Sequence, residues 1–178
     1  MKTLIIGNLG SGKTTLAEKI SKMYEIPFFS IDNIVHDDTK GVKRTNQEQI
    51  DIINKINREN KDYIIEGVLR ENLEFLCNLV DTIIILDIDK KILKKRIKKR
   101  YLKQKMGLDK VTYVVNKDML NKMYGWMECY DYERMNRLHM KYFRKVILLK
   151  SDLEIKKYLL ALEKNYQKHY MVKLIIKN

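Results

Sequence analysis

Cysteine is nearly absent: the 178 residues hold two, Cys77 and Cys129, far apart and in no C-x-x-C or Cys/His ligand spacing. That excludes a disulfide framework and a zinc site, and it suits a reducing compartment. Long apolar runs are missing too. No stretch approaches the roughly 20 residues that span a bilayer, and the N-terminal Leu4-Ile5-Ile6 is too brief for a signal-peptide core. The expected location is the cytoplasm. There is no internal repeat and no low-complexity linker, and 178 residues suit one domain, taken as 1–178. Proline, glycine and alanine are scarce while Ile and Asn abound, and lysine far outnumbers arginine. This resembles the codon bias of an AT-rich genome, so the formal net charge of +13 does not by itself point to nucleic acid. Some of that charge could serve anionic substrates. Hydrophobic residues at 45% exclude a disordered chain.

What the chain does contain is an alternation of apolar runs with helical patterns, the signature of a parallel α/β sheet. Strands are expected at Leu4–Ile6, Phe28–Ile31 (opened by Pro27), Tyr63–Ile65, Thr82–Leu86 and Lys145–Leu149. Helices are expected at Lys13–Tyr24, Gln47–Asn60, Lys90–Lys105 (very basic) and Asp152 to about Tyr166, with a loop from Asp37 to Asn46. Between strands four and five no strand signal occurs, and an inserted helical lid is expected at about 101–143. Its aromatic stretch Tyr124–Tyr132, with Trp126, reads as packing rather than as a base-stacking site. The tail 167–178 carries Met171-Val172 and Leu174-Ile175-Ile176, which fit an extra edge strand.

Gly7-Asn8-Leu9-Gly10-Ser11-Gly12-Lys13-Thr14 matches G-x-x-x-x-G-K-[ST] at every specified position, after an apolar strand and at the start of a helix. Glycines let successive backbone N–H groups turn inward around a phosphate, and the helix N-terminus adds partial positive charge. Lys13 is expected on the β/γ-oxygens and the Thr14 hydroxyl on Mg²⁺. Gly7, Asn8, Gly10, Ser11, Gly12, Lys13, Thr14 and Thr15 form the expected nucleotide-binding set. The loop does not say which reaction follows.

Two further segments extend the match. One is Tyr63-Ile64-Ile65-Glu66-Gly67-Val68-Leu69-Arg70; the other is Thr82-Ile83-Ile84-Ile85-Leu86-Asp87 followed by Arg96 and Arg100. With the phosphate loop, these resemble the adenylate-kinase-like branch of small P-loop kinases, and most of all the bacterial DNA-topology-modulation (adenylate-kinase-related) proteins. The resemblance runs from Met1 to about Leu162. It implies ATP and Mg²⁺ as cofactors, Glu66 as a water-mediated metal partner and Arg70 on the acceptor. It implies that Arg96 lies near the base, that Arg96 and Arg100 lie near the transferring phosphate, and that Arg134 and Arg137 are further lid arginines. Arg96 and Arg100 share one helix face, and a guanidinium forks onto phosphate oxygens as an ammonium cannot. Asp32 ends the expected strand two, where an acid can take the acceptor's proton; capping a helical turn at Asn33-Ile34-Val35 is the other role that fits it. His36 is a candidate acceptor contact. Adenylate kinases carry an arginine shortly after the strand-two acid, whereas this chain has Ile34-Val35-His36, and it has Val68-Leu69 where the family has a proline between glycine and arginine. The departure at Ile34–His36 points away from AMP as acceptor.

The expected fold is a three-layer α/β P-loop domain with five parallel strands in the order 2-3-1-4-5 and a small helical lid. The expected activity is ATP- and Mg-dependent phosphoryl transfer to a small-molecule acceptor. The rival is an NTP-binding protein that works on nucleic acid through the basic helix Lys90–Lys105. No membrane partner is expected.

Overall fold

The computed structural model describes residues 1–37, 41–109 and 113–177, with side chains described to residue 167. Residues 38–40 of the expected loop and 110–112 of the expected insertion lie outside that set. Five strands form one parallel sheet: β1 (Lys2–Gly7), β2 (Phe28–Ser30), β5 (Tyr63–Gly67), β6 (Thr82–Leu86) and β7 (Val146–Leu149). Their order is β2-β5-β1-β6-β7. Counted within this sheet, that is the expected 2-3-1-4-5. The numbering is displaced by a two-stranded antiparallel hairpin, β3 (His36–Asp37) with β4 (Val42–Lys43), where the sequence suggested only loop.

The three central strands are buried on both faces, which is why they read as unbroken apolar runs. Period-two alternation divides them between two cores. Leu4, Ile6, Tyr63, Ile65, Ile83 and Ile85 face one cluster, while Ile5, Ile64, Ile84 and Leu86 face the other. The first cluster is covered by α2 (Ile31–Val35), α3 (Asn46–Glu59), α4 (Leu76–Leu79) and α7 (Tyr132–Lys141). The second is covered by α1 (Lys13–Tyr24), α5 (Lys90–Lys105), α6 (Lys117–Glu128) and α8 (Asp152–Lys177). Helix α5 shows how a lysine-rich segment earns its place: Leu93, Ile97 and Tyr101 recur every four residues and are buried, with the lysines on the remaining faces.

Several expectations need correction. Strand β2 stops at Ser30 instead of Ile31, because the Ser30 hydroxyl accepts from Asp32 N at 3.2 Å and starts α2. Asp32 therefore sits in the first turn of α2, neither ending a strand nor capping a helix. The tail is helix, not strand: α8 continues to Lys177. Nothing between Asp152 and Lys177 breaks a helix, since that stretch holds no Gly or Pro and is rich in Leu, Lys and Glu. The insertion comprises two helices, α6 and α7, split at Cys129–Asp131, and Gly125 lies inside α6 rather than punctuating the chain. Met123 and Met127 of α6 are buried in one core, and Met135 and Leu138 of α7 in the other. The chain between these helices therefore crosses from one face of the sheet to the other. Trp126 is 57% exposed, so it does not supply the packing expected of it.

Candidate active site

The turn after β1 has the shape that the motif promised. Gly10 and Gly12 take left-handed φ values of 78° and 98°, which residues with a Cβ rarely adopt, and Gly12 caps α1. Alternating backbone handedness of this kind turns N–H groups to one side of the loop and carbonyls to the other. Arg96 occupies the carbonyl side. Its Nη1 donates to Gly10 O at 3.2 Å and Ser11 O at 3.0 Å, and its other arm pairs with Asp152 at the start of α8. The resemblance implies that Arg96 lies near the base and near the transferring phosphate. In this structure it braces the back of the loop, where one guanidinium serves both carbonyls at once.

Lys13 and Glu66 form the centre. Lys13 is 9% exposed, and its Nζ donates to Asn8 O at 2.9 Å. The Thr14 hydroxyl donates to Glu66 Oε1 at 3.1 Å, and Glu66 is 4% exposed at the carboxyl end of β5. Gly67 follows at φ 154°, and a Cβ there would stand 2.6 Å from Ile31 Cβ. Glycine thus lets α2, with Asp32, lie directly against the end of β5.

Burial pushes the Lys13 ammonium below its ordinary value; the Glu66 and Asp32 charges oppose this and the Arg100 charge adds to it. Burial likewise pushes the Glu66 carboxyl up. Lys13 and hydrogen bonds from Thr14 and Ser30 oppose that shift, while Asp32 reinforces it. Arg70 Nη2 stands 3.6 Å from Asp32 Oδ1, an ion pair longer than a hydrogen bond, with the Asp32 side chain 69% exposed.

These placements bring Lys13, Thr14, Glu66, Asp32 and Arg70 together at the carboxyl edge of the sheet, the usual ligand position in open α/β folds, while Arg100 is exposed on α5. Others lie elsewhere. Arg134 donates to Leu69 O at 3.0 Å and stands 3.6 Å from Glu74, so its contacts are with the segment after β5 rather than with the phosphate loop. Arg137 is exposed beside Asp131 and Glu133. His36 is exposed in β3, and its carbonyl accepts from Arg44 at 2.7 Å. Thr15 is exposed on α1. One contributor escaped sequence reasoning: Ser30 faces Glu66 across the β2–β5 register and has no motif to mark it. Asn8, expected in the nucleotide-binding set, gives its side-chain amide to Met127 O and the Tyr132 hydroxyl.

The residues fit a phosphate with its metal ion. The Ser11 hydroxyl is buried within the loop, 2.9 Å from where a Cβ on Gly7 would stand, and has no hydrogen-bond partner among the described residues. A threonine hydroxyl beside a carboxylate is the hard-oxygen pairing that Mg²⁺ takes together with water and phosphate oxygens. Among the described residues no group of three or more His, Cys, Asp or Glu could hold a metal on its own.

A family model described as AAA domain matches residues 4–114, more than half of the chain. The chain belongs to the AAA domain family. Solved structures share the fold of this AAA-domain chain across nearly its whole length. A gluconokinase from Sinorhizobium meliloti is 13% identical with a TM-score of 0.51, covering 94% of this chain and 96% of its own. A shikimate kinase from Bacteroides thetaiotaomicron is 13% identical with a TM-score of 0.51, covering 94% and 98%. An uncharacterized protein from Eubacterium ventriosum is 16% identical with a TM-score of 0.52, covering 94% and 98%. At such identities the likeness establishes a P-loop kinase fold and no more. Curated proteins give no match. No helix among the described residues is long and apolar enough to cross a membrane.

Proposed function

We propose that this chain transfers the γ-phosphoryl group of a nucleoside triphosphate, ATP with Mg²⁺, to a hydroxyl-bearing small molecule. The observation that carries the proposal is the Thr14–Glu66 hydrogen bond at 3.1 Å beside the buried Lys13. A desolvated ammonium and a desolvated carboxylate, each pushed toward neutrality, form a site that is electrostatically incomplete until an anion and a cation arrive. Bound Mg²⁺ would supply neutralisation of the β- and γ-oxygens. Thr14 would ligate it directly and Glu66 through water, while Lys13 would swing from the Asn8 carbonyl onto the phosphate.

Asp32 is the group on this chain suited to accept the acceptor's hydroxyl proton. It is an exposed carboxylate at the mouth of the crevice, held loosely by Arg70. Arg70 is then available to a charged group on the acceptor. Arg100, exposed on α5, would meet negative charge developing on the transferred group. The resemblance to adenylate-kinase-related topology-modulation proteins belongs to this proposal, as does a cytoplasmic location.

The test is ADP release from Mg-ATP, alone and with nucleotides, nucleosides and hydroxyl metabolites as acceptors. One acceptor should raise release many-fold. Equal slow release with every acceptor would remove the transfer reading in favour of hydrolysis or regulatory binding.

A further inference from the structure

Asn8, an unspecified position of the phosphate-loop motif, is 2% exposed, and every polar atom of its side chain is engaged. Oδ1 accepts from Leu9 N at 2.6 Å. Nδ2 donates to Met127 O at 2.8 Å and to the Tyr132 hydroxyl at 3.0 Å. These partners fix which way the amide points, since a backbone N–H can only donate and a carbonyl only accept. Met127 lies in the last turn of α6, and Tyr132 opens α7. The amide therefore grips both sides of the corner where the chain crosses the carboxyl edge of the sheet.

The same corner is held by charge and by rings. Glu128 pairs with Lys90 at 3.2 Å and Lys94 at 2.7 Å, the Lys90 ammonium lies 5.3 Å from the centre of the Tyr132 ring, and Tyr130 meets Tyr132 edge-on at 5.0 Å. The backbone carbonyl of Asn8 meanwhile accepts from Lys13 Nζ. One residue thus joins the phosphate-binding lysine, through its main chain, to the α6–α7 corner, through its side chain.

Resting on the nucleotide-binding reading above, we propose that Asn8 is a positioning residue that couples the phosphate loop to the α6–α7 corner. A phosphate that draws Lys13 off the Asn8 carbonyl leaves that carbonyl to Ser11 N alone, at 3.2 Å, and the loop's adjustment passes through the Asn8 amide to Met127 and Tyr132. Nucleotide occupancy and the position of the corner are then linked in both directions. Tyr132→Phe is the cleanest perturbation, because it removes one acceptor and leaves the ring against Tyr130 and Lys90.

The experiment is hydrogen exchange by mass spectrometry on the whole protein, with and without Mg-ADP, for wild type, Tyr132→Phe and Asn8→Ser. Residues 127–132 of the wild type should change protection when Mg-ADP binds. Tyr132→Phe should cut that change at least several-fold while keeping Tm within a few degrees and the protection at Gly10–Thr14. Asn8→Ser should cut it further. A merely structural contact would move Tm and leave the nucleotide-dependent difference intact, and that result overturns the coupling. Protection at Gly10–Thr14 without any wild-type response at 127–132 also overturns it and leaves nucleotide binding standing. No protection anywhere overturns both.

Discussion

Replacing Glu66 with glutamine should stabilise the metal-free protein and at the same time impair its use of magnesium. The carboxyl is 4% exposed, and burial raises its pKa in the fold above the unfolded value. The folded state therefore favours the neutral form. The stability that this preference supplies is fully present below the unfolded pKa and is lost as pH rises through the folded one. Glutamine imitates the neutral acid at every pH and can still accept from Thr14, so it escapes that loss. In EDTA, the wild-type Tm should fall behind that of Glu66→Gln as pH rises from about 4, the ordinary carboxylate value, and should stay behind at neutrality. With Mg²⁺ and nucleotide the order reverses. Removing a carboxylate that holds a metal's water shell costs about 10–100-fold in metal affinity or activity, or roughly 1.4–2.7 kcal/mol. Thermal scans across pH and a magnesium titration of nucleotide turnover read the two effects separately. A variant less stable at every pH, with an unchanged magnesium requirement, would refute the reasoning for Glu66.

Three more outcomes follow from the same geometry. Arg100→Ala should lower turnover by about 10³-fold or more while nucleotide binding is mostly retained; a near-normal rate by steady-state kinetics would remove Arg100 from the reaction. Gly67→Ala puts a methyl 2.6 Å from Ile31 Cβ and should cost about 1–3 kcal/mol. That lowers Tm by roughly 2–4 °C per kcal/mol in a domain of this size, and an unchanged Tm would contradict the close approach of α2 to β5. A thiol reagent should label exposed Cys129 first, because burial pushes the Cys77 thiol up to about 11; peptide mapping that finds Cys77 labelled equally fast in the folded protein would contradict its burial.

The fold was legible where periodicity was long. Central strands such as Ile64–Ile65 and Ile83–Ile85 announce themselves because a parallel sheet hides both faces, and Leu93, Ile97 and Tyr101 disclose the buried stripe of α5 beneath its lysines. Short elements stayed hidden. One serine hydroxyl converts Ile31 from strand to helix, and a two-residue ladder has no period to detect. The tail misled because Leu174-Ile175-Ile176 suits either period, and only the unbroken run from Asp152 decides it.

Within the candidate site, Lys13, Thr14 and Glu66, each carried by a motif, come together where β1 and β5 end. Arg96 and Arg134 bond backbone carbonyls, Gly10 and Ser11 for one and Leu69 for the other, and no local pattern tells which carbonyl an arginine on a helix face will find. Asn8 was readable as part of the loop. Its grip on Met127 and Tyr132 spans 119 and 124 residues of sequence, a separation that no local pattern encodes.

The most direct test of phosphoryl transfer follows the phosphorus itself. ATP labelled at the γ-position is incubated with Mg²⁺, the protein and each acceptor, with Lys13→Ala in parallel, and labelled products are separated from inorganic phosphate. The account predicts label in one organic phosphate ester, lost with Lys13→Ala. Label appearing only as inorganic phosphate, or remaining in ATP with every acceptor, would contradict it.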